Sequence, residues 1–471
     1  MSSGVKQRWI WAAIGTLVAV QIISPCPYFT PDAGAYLSMA RSLAHDGALL
    51  RYGDPHIRYG PAYPFVIAPL FWLSSEPFLL LSVLNFALLV GFGLAAYFWA
   101  RGVAPAAAPY AAALGVVNVV VLAMFRRPLS ETVFCPLLFG LAIGYNRALT
   151  GTLRPGWWAV LVPGSCVLAL TRQAGLMIAA GFATALLWQA IRGRRSWRSA
   201  IGLAILAVVP PTAAVFGWAA IDGARVHRSG DFDHVAALKT GPGPETADMP
   251  TSPLGRRVIE GLRVRVAEVG RVTIPLMAKV YAPSETWLHL DTLIYFSWFS
   301  FIVYGWLRHL READDSLAWM WPFYFALYVY WPFDQAARFT APLVPLLMVC
   351  LWRAVGNLGD WRPRLFAALT VAHLLISLGT WIVTERPRGH GLWAHWPELR
   401  RIADEFRDRP DELAVEPDAV ELTRPVEFWL DRTIPVRVPG ETRRFVIGWG
   451  DELRKIPLEQ RKVVVRPPGV E

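Results

Sequence analysis

Charged side chains stand where this apolar chain has least room for them. Asp32, Asp54, His56 and Arg58 fall in one polar stretch between hydrophobic runs. Arg126, Arg127 and Glu131 sit in RRPLSE, Arg172 in LTRQAG, and Asp334 and Arg338 in FDQAARFT. Arginines hold a phosphate or diphosphate through charge-assisted, often bidentate hydrogen bonds. A carboxylate takes the proton of a hydroxyl as that hydroxyl attacks a sugar's anomeric carbon. Such a set suits glycosyl transfer away from a phosphate leaving group. Because that leaving group is already activated, one carboxylate suffices, unlike the carboxylate pair of glycoside hydrolysis. A single interfacial arginine is explained by snorkelling. The whole set is not, because both signs gather on one face.

The elements that must position these groups are hydrophobic spans. The chain has 471 residues, 54% hydrophobic and only 17% charged, whereas soluble domains carry about a quarter charged residues. Its mean hydropathy is +0.36, and the apolar residues cluster in segments of about 17–25, the length that crosses a hydrocarbon core. A soluble fold with many buried helices is excluded by the lack of polar surface over the first 384 residues. Eleven spans are expected: Trp9–Ser24, Pro77–Trp99, Ala104–Phe125, Thr132–Tyr145, Trp157–Thr171, Ala174–Ile191, Ile201–Ile221, Leu290–Leu307, Ser316–Trp331, Thr340–Trp352 and Leu365–Thr384. Pro210 and Pro211 are expected to kink the seventh.

With the N-terminus in the cytoplasm, Lys6, Arg8, Arg101, Arg147, Arg154, the Arg192–Arg198 cluster, Arg308, Arg311, Arg353, Arg362 and Arg364 all lie inside, as the positive-inside rule requires. The net charge of +10 therefore marks topology, and no nucleic-acid partner is expected. The four cysteines show no disulfide or zinc spacing.

Two external loops follow, 26–76 and 222–289. In the first, Gly34–Asp46 is an amphipathic piece and Tyr63–Leu73 a short interfacial one. In the second, residues 230–255 are rich in turn formers, and Arg256–Tyr281 has the apolar spacing of a surface helix. The chain divides into a membrane domain, 1–384, and a small soluble extracytoplasmic α+β appendage, 385–471, with a helix over Trp396–Arg407 and strands in RRFVIG and RKVVVRP. The expected class is an all-α polytopic membrane protein in a bacterial inner (cytoplasmic) membrane.

The segments PDAGAYLSMARSLAHDG, IRYGPAYPFVIAPL, RRPLSETVFCPLLFGLAI, LTRQAGLMIAAG and ARFTAPLVPLL, in that order around the spans, resemble the GT-C membrane glycosyltransferases, within the group of protein O-mannosyltransferases and aminoarabinose transferases. The resemblance covers roughly residues 9–384. It implies a polyprenyl-phosphate sugar as donor, membrane lipids as surroundings, and no divalent metal or other cofactor. It makes Asp32 the catalytic aspartate and puts Arg58 and Arg338 at the donor phosphate, with Arg172 and Arg126 beside them. Glu131, Asp54, His56 and Asp334 would support the site. Members of this group commonly pair acids in the first loop; here Ala33 follows Asp32, which leaves Asp54 or Glu76 as the second acid.

Two other readings use the same residues. A transporter or flippase would use the same charges as a vestibule, but the halves show no repeat and the polar residues sit at the rim. An oligosaccharyltransferase-like enzyme using a lipid diphosphate would favour a metal and several acidic ligands, which are scarce beside Asp32.

Overall fold

A computed structural model describes residues 3–24, 30–55, 59–226, 254–274, 288–330, 336–386, 394–409, 412–415, 426, 428, 430, 445–449 and 463–466. His56, Arg58, Asp334 and most of the second external loop lie outside the described residues.

The apolar N-terminal run forms α1 (Ser3–Ile22), and the first loop folds into α2 (Pro31–Asp46), a hairpin of β1 (Leu50–Arg51) and β2 (Asp54–Pro55), and α3 (Ala62–Leu73). The hairpin turns on Tyr52 (φ 51°) and Gly53 (φ 84°), both left-handed as a two-residue turn demands. At 12 residues, α3 is about 18 Å long, short of the roughly 30 Å hydrocarbon core.

There follow α4 (Phe78–Val103), α5 (Ala108–Val117), α6 (Val119–Phe125), α7 (Glu131–Leu149), α8 (Trp158–Thr171), α9 (Leu176–Ile191) and α10 (Trp197–Val226). The remainder is α11 (Leu254–Thr273), α12 (Leu288–Glu312), α13 (Ser316–Tyr330), α14 (Val344–Ala354), α15 (Trp361–Thr380) and α16 (Trp396–Glu405), with strands β3 (Leu413–Val415), β4 (Phe445–Trp449) and β5 (Val463–Arg466). The chain is thus an integral membrane protein of all-α polytopic architecture. Among the described residues five helices are long and apolar enough to cross a bilayer, and the bent pair α5–α6 makes six. The expected segments at Trp9–Ser24, Trp157–Thr171 and Thr340–Trp352 appear as shorter apolar helices.

Small residues let the helices close on one another. A Cβ at Gly181 of α9 would stand 2.4 Å from the Met320 backbone nitrogen, so α9 and α13 touch backbone to backbone, a usual device among membrane helices. At the end of the bundle away from Asp32, Asp315 accepts from Trp99 Nε1 (3.0 Å) and Asn146 Nδ2 (2.9 Å) and meets His309 Nε2 at 3.0 Å. This buried knot ties α4, α7, α12 and α13 together. Nearby, Arg195 Nη2 donates to the Ala148 and Leu149 carbonyls at the end of α7 (2.9 and 3.0 Å).

Two expectations change here. α10 runs through Pro210 and Pro211 as one helix of 30 residues, whereas the expected span Ala104–Phe125 is broken at Asn118, where α5 and α6 meet at 53°. Asn118 is extended (φ −59°, ψ 130°) and its Oδ1 accepts from the Val120 and Val121 amides (3.0 and 3.4 Å), a side-chain cap that starts α6 afresh. The second change concerns α11, expected on the surface. Its second half is buried, with Val266, Val269, Val272, Glu268 and Thr273 at 0% exposure and Arg265 at 3%, while Ile259 nearer its start is 68% exposed. Its apolar stripe packs inward, and the two charges on the adjoining face neutralise each other: Arg265 Nη1 pairs with Glu268 Oε1. Residues 275–281 of the expected helix are outside the described residues.

The C-terminal strands form one sheet in the order β3-β4-β5, parallel then antiparallel. Glu76 accepts from Trp396 Nε1 (3.2 Å) and Arg400 Nη1 (3.1 Å), and the Phe78 ring meets Trp396 edge-on at 5.4 Å. Glu76 therefore docks α16 against the start of α4.

Candidate active site

Asp32 lies in the first turn of α2, which begins at Pro31 and is capped by Thr30, whose hydroxyl accepts from the Ala33 amide at 3.2 Å. A carboxylate there is favoured by the helix dipole. Both its oxygens are engaged: Oδ1 accepts from the Tyr59 hydroxyl at 2.8 Å and Oδ2 from Arg338 Nη1 at 2.5 Å. Glu131, in the first turn of α7, is fully buried. It meets Arg172 Nη1 at 2.5 Å, pairs with Arg338 Nε through Oε1 and accepts from Arg338 Nη2 through Oε2 at 3.0 Å. The Arg338 fork thus spans both carboxylates, which makes Glu131 the second acid of the cluster.

The surroundings hold this arrangement. Tyr36 donates to Ser130 Oγ at 3.0 Å, and Ser130 also accepts from Arg172 Nη1 at 3.4 Å. The Arg172 guanidinium lies 5.2 Å from the Phe339 ring centre. Burial pushes the Asp32 carboxyl up, but the charge of Arg338 and the hydrogen bonds from Arg338 and Tyr59 outweigh it, so its pKa lies below the ordinary value. Burial, then the charge of Asp32, pushes the Tyr36 phenol up to about 12. Burial alone would ease the proton off Arg338, but Glu131 and Asp32 hold it more firmly than usual.

A cavity of about 320 Å³ opens on this cluster. Its polar end is lined by Asp32, Tyr36, Tyr59, Arg172 and Arg338, and its apolar wall by Leu176, Met177, Val215, Trp218 and Leu327. The wall comes from α9, α10 and α13, and α10 carries outward-facing Val209, Phe216 and Ile221. Such a lining, charged at one end and apolar along its wall, suits an amphipathic molecule.

Of the residues singled out by sequence, Asp32, Glu131, Arg172 and Arg338 come together. Arg126 is not brought to the cluster: its Nη2 donates to Gln21 Oε1 (2.5 Å) and Ser377 Oγ (3.1 Å), a brace between α1, α6 and α15. Asp54 lies in β2, its backbone opposite Arg51. Glu76 is engaged by α16, as described above. Tyr59 and Tyr36 were not anticipated; the only signal for Tyr59 is its place in the RYGPAYP segment beside Arg58. Among the described residues no group of three or more His, Cys, Asp or Glu side chains is arranged to hold a metal ion.

No protein-family profile matches the sequence, and no curated protein matches it. Solved structures do. ArnT from Cupriavidus metallidurans bound to undecaprenyl phosphate superposes with a TM-score of 0.55 at 12% identity, over 96% of this chain and 94% of that one. Its apo form gives 0.53 at 10% identity, over 92% and 86%. The Archaeoglobus fulgidus oligosaccharyltransferase tethered to an acceptor peptide gives 0.51 at 15% identity, over 93% of this chain but 65% of that one. At such identities the likeness is one of fold: the chain shares the fold of ArnT and of the oligosaccharyltransferase.

Proposed function

We propose that this chain is a membrane glycosyltransferase that moves a sugar from a polyprenyl-phosphate donor to a lipid, glycan or protein acceptor at the outer membrane face. The observation that carries this is the cluster of Asp32, Arg338, Glu131 and Arg172 at one end of an apolar helix bundle, opening on a cavity with an apolar wall. Support also comes from the fold shared with an enzyme whose structure holds undecaprenyl phosphate. In the finer topology the eleven segments all cross, the N-terminus is cytoplasmic, and residues 385–471 form an extracytoplasmic unit beside the membrane domain 1–384. A bacterial inner membrane suits that arrangement.

The chemistry follows from how Arg338 is shared. At rest its bond to Asp32 keeps that carboxylate a weak base. A donor phosphate arriving at Arg338 and Arg172 competes for the same guanidinium N–H groups and loosens the hold on Asp32. The acceptor hydroxyl then attacks the anomeric carbon, its proton passes to Asp32, and the bond between anomeric carbon and phosphate oxygen breaks with its electrons leaving on the polyprenyl phosphate. The arginines stabilise that departing charge. Arg58 and His56, beside Tyr59 in sequence, and Asp54 and Asp334 are assigned to the rim of the same site, Arg58 toward the donor phosphate.

The test offers purified protein in nanodiscs a panel of polyprenyl-phosphate and nucleotide sugars and follows release of free polyprenyl phosphate. Release that depends on an acceptor and vanishes in Asp32→Asn is expected. Movement of lipid-linked substrate across the bilayer without cleavage of any donor would replace this proposal with a transporter built on the same charges.

A further inference from the structure

A second buried ion pair lies behind the site, unused by the reaction above. On α11, Arg265 Nη1 pairs with Glu268 Oε1, three residues on and nearly unexposed like itself. Arg265 Nε also donates to the Tyr328 carbonyl at 3.1 Å, while Glu268 Oε2 accepts from Thr340 Oγ1 at 3.2 Å. Tyr328 is near the end of α13 and Thr340 lies two residues past Arg338. One pair of side chains therefore grips both ends of the segment that carries the donor-binding guanidinium.

The grip extends through aromatic contacts. The Phe339 ring stacks on Tyr328 at 4.0 Å, with the Arg265 guanidinium 5.7 Å and the Arg172 guanidinium 5.2 Å from its centre. The helix making the grip is itself anchored. Asn118 Nδ2 donates to the Val272 carbonyl at 2.7 Å, and Trp298 Nε1 donates to Thr273 Oγ1 at 2.7 Å. A buried ion pair is a weak source of net stability, since desolvation offsets most of its attraction. Apolar side chains of like size would fill the same space, but they would not hold a carbonyl at one end and a hydroxyl at the other.

Resting on the glycosyltransferase proposal, we infer that Arg265 and Glu268 are positioning residues: they set donor affinity by fixing the turn that presents Arg338. Bidentate recognition of phosphate by arginine depends on the direction of the guanidinium fork, so a loosened turn weakens donor binding before it touches proton transfer.

The experiment pairs hydrogen exchange over residues 336–343 with steady-state transfer in nanodiscs, using Glu268→Gln and the milder Thr340→Val. The second variant keeps the ion pair intact and loses one hydroxyl, so it serves if the first does not fold. Glu268→Gln is expected to speed exchange across that segment and raise donor KM about tenfold with kcat within about threefold, and Thr340→Val to raise KM about threefold. A role in packing alone would lower the unfolding midpoint without moving donor KM. Unchanged exchange in both variants overturns the clamp, and faster exchange with unchanged donor KM overturns its positioning role. Because exchange needs no turnover, a wild type that transfers nothing counts against the glycosyltransferase proposal alone, and the clamp is still decided by the exchange.

Discussion

Asp32→Asn separates the proton acceptor from the charge balance around it. The substitution keeps the shape of the side chain, and its remaining oxygen still accepts from Tyr59 or Arg338, which now reach it at 2.8 and 2.5 Å. Arg338 also keeps both contacts to Glu131, and the Asp32 side chain is 17% exposed, so folding should change little. Loss of a general base lowers kcat by about 10²–10⁴-fold.

Donor affinity should move the other way. Two carboxylates and two guanidiniums cancel in the resting cluster, and removing one carboxylate leaves a net positive charge. At about 5 Å from an incoming phosphate and an effective dielectric near 20, one such charge is worth at most about 3 kcal/mol, and solvent at this part-exposed site trims it further. Donor KM should therefore hold steady or fall while kcat collapses. Steady-state transfer with varied donor, beside thermal unfolding of both proteins, measures this. A kcat within about threefold of wild type refutes the base assignment. A kept kcat with a donor KM raised about tenfold refutes the charge argument.

Three further outcomes are expected. Glu131→Gln removes the carboxylate that bridges Arg172 and Arg338; breaking a buried pair costs about 3–5 kcal/mol, so the unfolding midpoint in detergent should drop clearly, and an unchanged midpoint would deny the bridge. The Asp32 carboxyl is held below its ordinary value, so its contribution to stability is present above that value and is lost only as pH falls through the depressed one. The kcat/KM profile should accordingly carry no acid limb from Asp32 between about pH 5 and 8, and such a limb that disappears in Asp32→Asn would refute this. Gly60→Ala would place a Cβ 2.0 Å from the Leu170 carbonyl oxygen, forcing the Tyr59 segment off the end of α8. Transfer should fall by about tenfold or more, and retention of full activity would show that Tyr59 does not help hold Asp32.

Hydropathy made the membrane helices legible, and the gathering of both charge signs at one end pointed to four of the residues that meet. The pairing among them was not legible. Glu131 shares Arg338 with Asp32 although they belong to different helices, and no local spacing announces a partner 99 residues away, whereas Asp54 and Glu76 lie close by in sequence. α11 misled for a different reason. Val258, Leu262, Val266 and Val269 mark one apolar face, and the rest looked solvated because two of its charges, Arg265 and Glu268, cancel only once buried. Their i,i+3 spacing was the available signal. Arg126 was drawn into the site by its neighbours in sequence, whereas Gln21 and Ser377, which engage it, sit within hydrophobic runs that hide their polarity. The bend at Asn118 escaped because a side-chain cap breaks a helix without proline.

The sharing of Arg338 also bears on biosynthesis. Asp32 and Arg338 are separated by 306 positions, so α2, α7 and the end of α8 reach the membrane well before the guanidinium that completes the cluster. Until residue 338 has been made, Arg172 is the one guanidinium of this four-residue cluster beside its two carboxylates, so the network of ion pairs is completed only by the last third of the chain.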